Sequence, residues 1–367
     1  MELKERQLRY KAIEEYRNRP LIVYATSTRR GVPAQMAGDA VREFIDQIDA
    51  LSGEKSIDVL LHSTGGDALT AWKLMSVLRE RFETVSVLVP YMAFSAATIF
   101  ALGADEIVMH PLASLGPIDP QISIQQPDGS LRQFAYEDVG AFIRFLGDDA
   151  KIKNEQFVSA IIDKLFSVVD PINVGAAKRA SELSSSVGER LLLTHMHGEG
   201  QKSQAKKIAE DLNKSFFAHG DAVSRKRALE LQMKISAPDS VIENLVWDAY
   251  LGLESYMSLR TPFNPLQHYL SDSAAAASLK PTAPLQIPPN TPPQLAQQIW
   301  QTAAQQSIQS ISQTAHEVEY HLINAIIEST RVSSQFQTSG KLSAFRDIKG
   351  EIRLSAVDTS SGWEKNK

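Results

Sequence analysis

The sequence predicts an α/β fold built around a mostly parallel sheet. Short apolar runs of strand length alternate with segments in which apolar residues recur every three or four positions, the spacing of one helix face. The runs are apolar almost throughout, as is typical of strands buried on both faces. Strands that alternate with helices imply parallel crossovers. The carboxyl ends of the strands then share one edge of the sheet, where such folds bind their ligands.

The first part of the chain supplies the strands of this sheet. Residues 1–19 predict a short charged helix, and the apolar run 21–25 predicts the first strand. The next strands are predicted at 57–62, 85–89 and 106–109, with helices at 36–51, at 67–81 and after Ser95.

From about residue 137 to 258 the pattern is mostly helical, and after residue 260 the composition changes. Prolines and an alanine run indicate a linker, and Gln/Ser-rich segments with spaced isoleucines then predict an amphipathic helix before a polar, mobile tail. The predicted segments are an N-terminal helix at 1–19, one α/β domain at 20–260, a linker at 261–298, an amphipathic helix at 299–330 and a tail at 331–367.

Composition limits the possible functions. The 367 residues are 43% hydrophobic, enough for a substantial core, and the net charge of −5 argues against a nucleic-acid partner. The absence of cysteine excludes disulfides, thiolate metal sites and a cysteine nucleophile. The charged N-terminus has no apolar signal core, and no apolar run is long enough for an integral membrane segment. We therefore expect a cytoplasmic location.

Two turns at the carboxyl ends of neighbouring strands carry the chemistry. The first contains the glycine pair Gly65-Gly66, and the second presents Ser95 among small residues at the start of a helix. Glycines allow main-chain N–H groups to approach a ligand closely. A serine at a helix N-terminus lies where negative charge is stabilised. These are the parts needed to attack an acyl carbon and to bind the resulting oxyanion.

Four motifs in order resemble the serine dehydrogenase proteinase family, which is related to signal peptide peptidase A and to the proteolytic subunit of Clp protease. The resemblance extends over roughly residues 18–236 and implies the Clp/crotonase-type fold of stacked ββα units. The motifs are His62-Ser63-Thr64-Gly65-Gly66, Met92-Ala93-Phe94-Ser95-Ala96-Ala97-Thr98, Ala104-Asp105-Glu106-Ile107-Val108-Met109 and Leu115-Gly116-Pro117-Ile118-Asp119-Pro120-Gln121.

The resemblance implies a serine endopeptidase that works through an acyl-enzyme without a cofactor. Its nucleophile is Ser95, and the N–H groups of Gly66 and Ala96 form the oxyanion hole. The residues agree with this assignment, because Gly66 can expose its amide and small residues follow Ser95.

The general base is less clearly marked. The Clp subunit uses a histidine in the loop that here reads Gly116–Pro120 and contains none. Relatives of signal peptide peptidase A use a lysine whose pKa is lowered by burial. Lys178 is the preferred candidate for a Ser-Lys dyad, because small residues flank it, and Lys164 is the second.

Two further side chains are candidates for base or orienting group. His219 lies near the end of the family region, and Asp119 is beside Pro120, where it also suits a turn. No metal site is expected, because His195 and His197 have no third ligand at a plausible spacing.

Alternative functions remain open at this stage. The same fold in crotonase relatives binds acyl-CoA enolates through paired amides, and a chain with an uncertain base could be an inactive oligomeric scaffold. For the peptidase, the expected substrate is a peptide or an unfolded protein. Relatives with this fold assemble into rings or stacks, so a homo-oligomer is expected.

Overall fold

The computed structural model describes residues 2–51, 53–125, 128–214, 222–279, 287–347 without 312–315, and 349–366. The helices are α1 Leu3–Arg17, α2 Ala40–Asp49, α3 Ala68–Arg81, α4 Ala96–Leu102, α5 Tyr136–Arg144, α6 Glu155–Phe166, α7 Pro171–Leu192, α8 Gln201–Lys214, α9 Arg225–Glu230, α10 Ser240–Tyr256, α11 Pro265–Ser271, α12 Ser273–Ser278 and α13 Pro293–Ile311, with a π-helical turn at Phe145–Asp149.

Thirteen strands are found within the described residues. They are β1 Leu21–Thr26, β2 Ser56–His62, β3 Thr84–Val89, β4 Met92–Ala93, β5 Glu106–Met109, β6 Ser114–Leu115, β7 Gln121–Gln125, β8 Leu131–Ala135, β9 Val223–Ser224, β10 Ile235–Ser236, β11 Glu317–Glu328, β12 Ser333–Arg346 and β13 Ile352–Lys365.

The described chain divides into two compact units. Unit 1 comprises 1–26, 35–253 and 326–333, and unit 2 comprises 27–34, 254–325 and 334–367. The short return of 326–333 to unit 1 means that the unit containing the predicted site is completed by residues far along the chain.

Unit 1 contains a parallel sheet in the order β10–β5–β3–β2–β1. Every residue of β1 is buried, and β2 and β3 are buried after their first residue, which explains why these runs are apolar without alternation. The α/β class with a mostly parallel central sheet is therefore confirmed. The four predicted strands lie within a residue or two of their predicted positions.

A smaller apolar cluster forms around the β7–β8 hairpin. The β7–β8 hairpin is antiparallel, and Phe134 contributes to an apolar cluster with Val169 and Ala177. This hairpin interrupts the chain just before the mostly helical region.

The C-terminal segments differ from the prediction in three places. A linker over all of 261–298 is wrong, because α11 and α12 form within it and bury Tyr269 and Ala275. Helix α13 ends at Ile311, and residues 317–328 form a strand, so an amphipathic helix over 299–330 is wrong for its second half. The polar tail at 331–367 is wrong as an unstructured segment, because it contains β12 and β13.

These two strands form because they pair with one another. They are antiparallel over a long register in which Phe336 lies opposite Trp363, with the rings edge to face at 5.7 Å. The apolar residues of β12 alternate, and Leu342 and Ala344 are buried in the core of unit 2 together with Tyr320. The residues that alternate with them are polar and face outward, so the overall composition of the segment resembled that of an unstructured tail.

Candidate active site

The glycine turn and the serine turn meet at the carboxyl edge of the sheet in unit 1. Directly after β2, the N–H of Ser63 donates to Met92 O (3.1 Å), and Ser63 O accepts from Phe94 N (2.9 Å). Ser63 and Ala93 therefore form a parallel bridge that continues the sheet for one residue pair. This bridge holds the start of the Gly65-Gly66 turn against the segment that leads to Ser95.

Gly65 lies too close to the serine turn to carry a side chain. Its φ is +103°, and a Cβ placed there would lie 2.5 Å from Phe94 O, 2.7 Å from Ser95 Cβ and 2.9 Å from Ala96 N. Gly66 has φ +153°, and its Cβ would lie 2.3 Å from Met36 O. The glycine pair is thus required both for backbone conformation and for close contact.

Ser95 occupies an unusual backbone conformation, with φ 53° and ψ −119°. It is the N-cap residue of α4, its hydroxyl makes no capping hydrogen bond, and the residue is only partly buried. A non-glycine residue held in such a region costs about 1–3 kcal/mol, and this kind of strain concentrates at functional sites. The turn presents the hydroxyl without using it to stabilise the helix.

Two main-chain N–H groups of these turns have no acceptor within the described part of the chain. They belong to Gly66 and Ala96. Ala96 is the first residue of α4, and the first N–H groups of a helix have no partner inside it. For Gly66, Met36 bonds to the residues on either side: Met36 N donates to Gly65 O (2.7 Å), and Asp67 N donates to Met36 O (2.9 Å).

A buried threonine fixes the start of α4. Thr98 Oγ1 donates to Ala93 O (2.7 Å), lies 2.9 Å from Gly116 O and accepts from Gly116 N (3.0 Å). A Cβ on Gly116 would lie 2.9 Å from Phe94 Cβ, so this loop packs directly against the serine turn. The loop at Gly116 therefore contacts Phe94, the residue before Ser95.

The candidate lysines lie on helix surfaces. Lys178 is on α7, its side chain is 55% exposed, and its Nζ lies 3.7 Å from Glu182 Oε1. Lys164 is exposed near the end of α6. Within the described ranges, neither amine is hydrogen-bonded to Ser95.

Asp119 is partly buried and accepts from Gln121 Nε2 (3.1 Å). The preceding residue, Ile118, accepts through its carbonyl from Ser184 Oγ of α7. Lys178 lies on the same helix, six residues before Ser184. Its backbone is therefore about 9 Å along the helix axis from the residue that bonds to the Asp119 loop. His219 lies outside the described residues. No group of three or more His, Asp or Glu side chains that could hold a metal ion occurs among the residues the structure describes.

Three residues that hold the glycine turn, Ser63, Thr26 and Met36, were not predicted from the sequence to belong to the site. Ser63 Oγ accepts from Gly65 N (3.0 Å) and from Thr26 Oγ1 (2.7 Å), and both hydroxyl residues are fully buried. A serine two residues before a glycine is a signal for a side-chain-supported turn, so Ser63 could have been identified. Thr26 and Met36 carry no local signal.

His62 is buried at the end of β2, one residue before the site. Its ring centroid lies 5.1 Å from that of Tyr250 and 6.3 Å from that of Tyr91. Burial among these rings lowers the pKa of His62 to about 4. The folded protein therefore keeps this imidazole neutral where the unfolded chain binds a proton.

His62 makes folding sensitive to mild acid. In the unfolded chain, His62 is protonated as the pH falls through about 6.5, whereas in the folded protein it is protonated only near pH 4. The unfolded state therefore binds more protons between these pH values, and the free energy of unfolding decreases as the pH falls. The decrease attributable to His62 is about 3 kcal/mol. We expect His62→Phe to flatten the denaturant-measured stability profile between pH 7 and pH 4.5 by about 2 kcal/mol. His197→Phe, at an exposed position, is the control. Equal slopes for His62→Phe and the wild type would contradict the assignment.

Comparison with protein families supports the resemblance carried by the motifs. Residues 35–163 match the family described as ClpP-like SDH-type serine proteinase. The resemblance predicted from the sequence is thereby confirmed, over a shorter range than 18–236. The match contains both turns and the loop at Gly116, and it ends within α6.

Two archaeal relatives align with a larger part of the chain. They are uncharacterized proteins of Methanocaldococcus jannaschii, MJ1495 and MJ0137. MJ1495 is 27% identical over 205 residues, which are 55% of this chain and 60% of the relative. MJ0137 is 28% identical over 214 residues, 58% of this chain and 63% of the relative. The alignments thus span about three fifths of the length of these relatives.

Among solved structures, one neighbour is a mutant of the 1510-N membrane-bound stomatin-specific protease (TM-score 0.35, 16% identity, 56% of this chain and 76% of that chain). Another is the ClpP protease catalytic domain from Plasmodium falciparum (TM-score 0.34, 10% identity, 65% and 93%). These TM-scores are low, and the fold class rests on the sheet topology of unit 1. Among the described helices, none combines the length and the apolar composition of a membrane-spanning segment.

Proposed function

We propose that this protein is a serine peptidase that hydrolyses peptide bonds through an acyl-enzyme. Ser95 is the nucleophile, and the N–H groups of Gly66 and Ala96 bind the oxyanion of the tetrahedral intermediate. The observation that carries the proposal is the packing of the Ser95 turn on the Gly65-Gly66 turn, beside two N–H groups without an acceptor in the described chain. Such preorganised donors are commonly the largest single contribution to acyl-transfer catalysis.

The attack requires a base that takes the Ser95 proton. Lys178 is our proposed base, with Lys164, Asp119 and His219 as alternatives. A lysine acts as a base when removal from water lowers its pKa. Because the Lys178 side chain is 55% exposed, the proposal requires that substrate or a second copy of the chain covers it during turnover. Catalytic hydrogen bonds commonly tighten only when substrate is bound.

The central test is replacement of Ser95 by alanine. We expect hydrolysis of a fluorescently labelled unfolded protein to fall by at least about 10³-fold, because no other group supplies the acyl-enzyme. Folding should persist, since the Ser95 hydroxyl makes no capping hydrogen bond. A fluorophosphonate probe should label the wild type at Ser95 and leave Ser95→Ala unlabelled.

Ser76→Ala is a matched control, because Ser76 lies on α3 with its hydroxyl bonded to Trp72 O of its own helix (2.7 Å). It should keep full activity. Retained hydrolysis in folded Ser95→Ala would remove the nucleophile assignment.

For the base, Lys178→Met should lose about 10²-fold or more in turnover while Lys164→Met stays active. The reverse result would transfer the role to Lys164.

The proposed partners are a peptide or unfolded-protein substrate and further copies of this chain. Support for self-association comes from apolar side chains left exposed between β8 and the start of α7. They include Phe157 (66% exposed) and Ile172 (75% exposed). Exposed apolar surface of this kind is commonly covered by a partner. The cytoplasmic location stays a prediction from the sequence.

Substitution at these positions should dissociate the assembly. We expect the double variant Phe157→Ser, Ile172→Ser to sediment at a lower mass than the wild type, because association loses the burial of two large side chains. Leu8→Ser is the control, because Leu8 is 68% exposed and lies on α1. A wild-type protein that sediments as a monomer would refute the homo-oligomer, and an unchanged mass for the double variant would exclude this surface.

A further inference from the structure

Ser63 is the residue that bonds to both turns of the site. Its main chain is bonded to Met92 and Phe94, which precede Ser95, at 3.1 and 2.9 Å. Its side chain accepts the N–H of Gly65 at 3.0 Å. Ser63 is fully buried, so water does not compete for these bonds. Ser63 therefore links Gly65 directly to the segment that leads to Ser95.

The second hydroxyl, that of Thr26, fixes the orientation of the first. Thr26 is the last residue of β1, is fully buried, and donates through Oγ1 to Ser63 Oγ at 2.7 Å. The ends of β1 and β2 are thus joined by a side-chain bond beyond their main-chain pairing. Buried polar groups of this kind favour one geometry strongly, because leaving one unsatisfied is costly.

A glycine pair needs such external restraints. Gly65 and Gly66 have positive φ values of 103° and 153° and no side chains that would limit their movement. The bond from Ser63 orients the peptide before Gly65, and the bond from Met36 N to Gly65 O (2.7 Å) orients the peptide after it. Because a trans peptide places its C=O and N–H on opposite sides, the second bond directs the Gly66 N–H away from Met36.

We propose that Ser63, held by Thr26, is a positioning residue that sets where the Gly66 N–H points relative to Ser95. The inference rests on the proposed serine peptidase function and extends it to residues that do not contact the reacting atoms. Without the Ser63 hydroxyl, the Gly65 N–H loses its acceptor and the glycine turn gains freedom. The oxyanion would then be bound less well, while the ground-state peptide would bind as before.

The test separates turnover from binding. We expect Ser63→Ala to lower kcat by about 10- to 100-fold with KM changed less than about twofold, because the lost interaction acts on the transition state. A peptide aldehyde, which forms a tetrahedral adduct with the nucleophile, should lose affinity by a similar factor. Binding of an uncleaved substrate peptide, measured by calorimetry in Ser95→Ala and in the Ser63→Ala, Ser95→Ala double variant, should be the same.

Thr26 supplies an independent pair of variants. Thr26→Val keeps the shape and removes the donor, so its kcat should fall severalfold, whereas Thr26→Ser keeps the hydroxyl and should retain wild-type kcat. If Ser63→Ala does not fold, this pair decides the question. Equal kcat values for Thr26→Val and Thr26→Ser, or a Ser63→Ala loss that lies in KM, would overturn the proposal. An active Ser95→Ala protein would refute the peptidase function itself. An inactive Ser95→Ala protein together with a fully active Ser63→Ala protein would refute only the role of Ser63.

Discussion

Replacing Gly65 by alanine is expected to reduce hydrolysis by at least about 100-fold. The new Cβ would lie within 3 Å of Phe94 O, Ser95 Cβ and Ala96 N. Because two of these are backbone atoms, the serine turn must shift or the glycine turn must move away. Either movement separates Ser95 and the Ala96 N–H from the proposed donor at Gly66, and loss of one such donor costs about 10²–10³ in turnover. The measurement is kcat/KM on a fluorogenic peptide.

The control for this variant separates the cost of an alanine at positive φ from the effect of the Cβ contact with the serine turn. Gly200 also has positive φ (80°), but a Cβ there would meet nothing within 4 Å. Gly200→Ala should therefore cost only about 1–2 kcal/mol of stability and leave kcat/KM unchanged. Thermal unfolding of both variants shows whether the folded state persists. A folded Gly65→Ala protein with wild-type kcat/KM would show that the two turns need not be in contact for catalysis.

The largest effect on stability is expected at a buried ion pair in unit 1. Arg6 of α1 and Glu328 of β11 are 1% and 0% exposed, and two hydrogen bonds join them at 2.5 and 3.0 Å. Tyr10 (2.9 Å) and Ser333 (3.0 Å) also donate to the Glu328 carboxylate. Burial and the neighbouring carboxylate raise the pKa of Tyr10 well above its ordinary value, so its hydroxyl keeps its proton and remains a donor.

We expect Arg6→Met to lower the free energy of unfolding by about 3–5 kcal/mol, because it leaves a buried carboxylate without its cation. The double variant Arg6→Met, Glu328→Leu should recover most of this loss, since an apolar pair avoids the cost of removing charges from water. The measurement is urea-induced unfolding at pH 7.

A neighbouring pair that is more exposed to solvent provides the comparison. Arg9, on the same helix, forms an ion pair with Asp248 at 2.8 Å, with side chains 28% and 55% exposed. Arg9→Met should cost less than about 1 kcal/mol, because solvent screens such pairs. If Arg6→Met costs no more than Arg9→Met, burial does not govern the contribution of the Arg6–Glu328 pair.

The central sheet was predictable because its strands are marked locally. β1, β2 and β3 are apolar runs between helical segments, and parallel pairing follows from that alternation. The serine and glycine turns were predictable for the same reason, since each lies a few residues after a buried strand. Both features depend on residues close together in the chain.

The C-terminal strands were not predictable in this way. β11 contains apolar residues at spacings that suit either a helix face or a strand, and β12 and β13 are rich in serine and threonine. Their strand conformation depends on the partner strand, which supplies the main-chain hydrogen bonds. Pairing between such segments is a tertiary property and overrides the local preference.

By itself, the sequence determined the α/β class, the order of the motifs and the identity of Ser95 and Gly66 as site candidates, because these depend on residue type and local spacing. Only the tertiary structure decided that Ser63 and Thr26 brace the glycine turn, that Lys178 lies on an exposed helix surface and that residues near Glu328 complete unit 1. The first and last of these outcomes depend on which buried polar groups find partners, and the exposure of Lys178 depends on how α7 packs. Such partners are supplied by segments tens to hundreds of residues away, which local spacing does not specify.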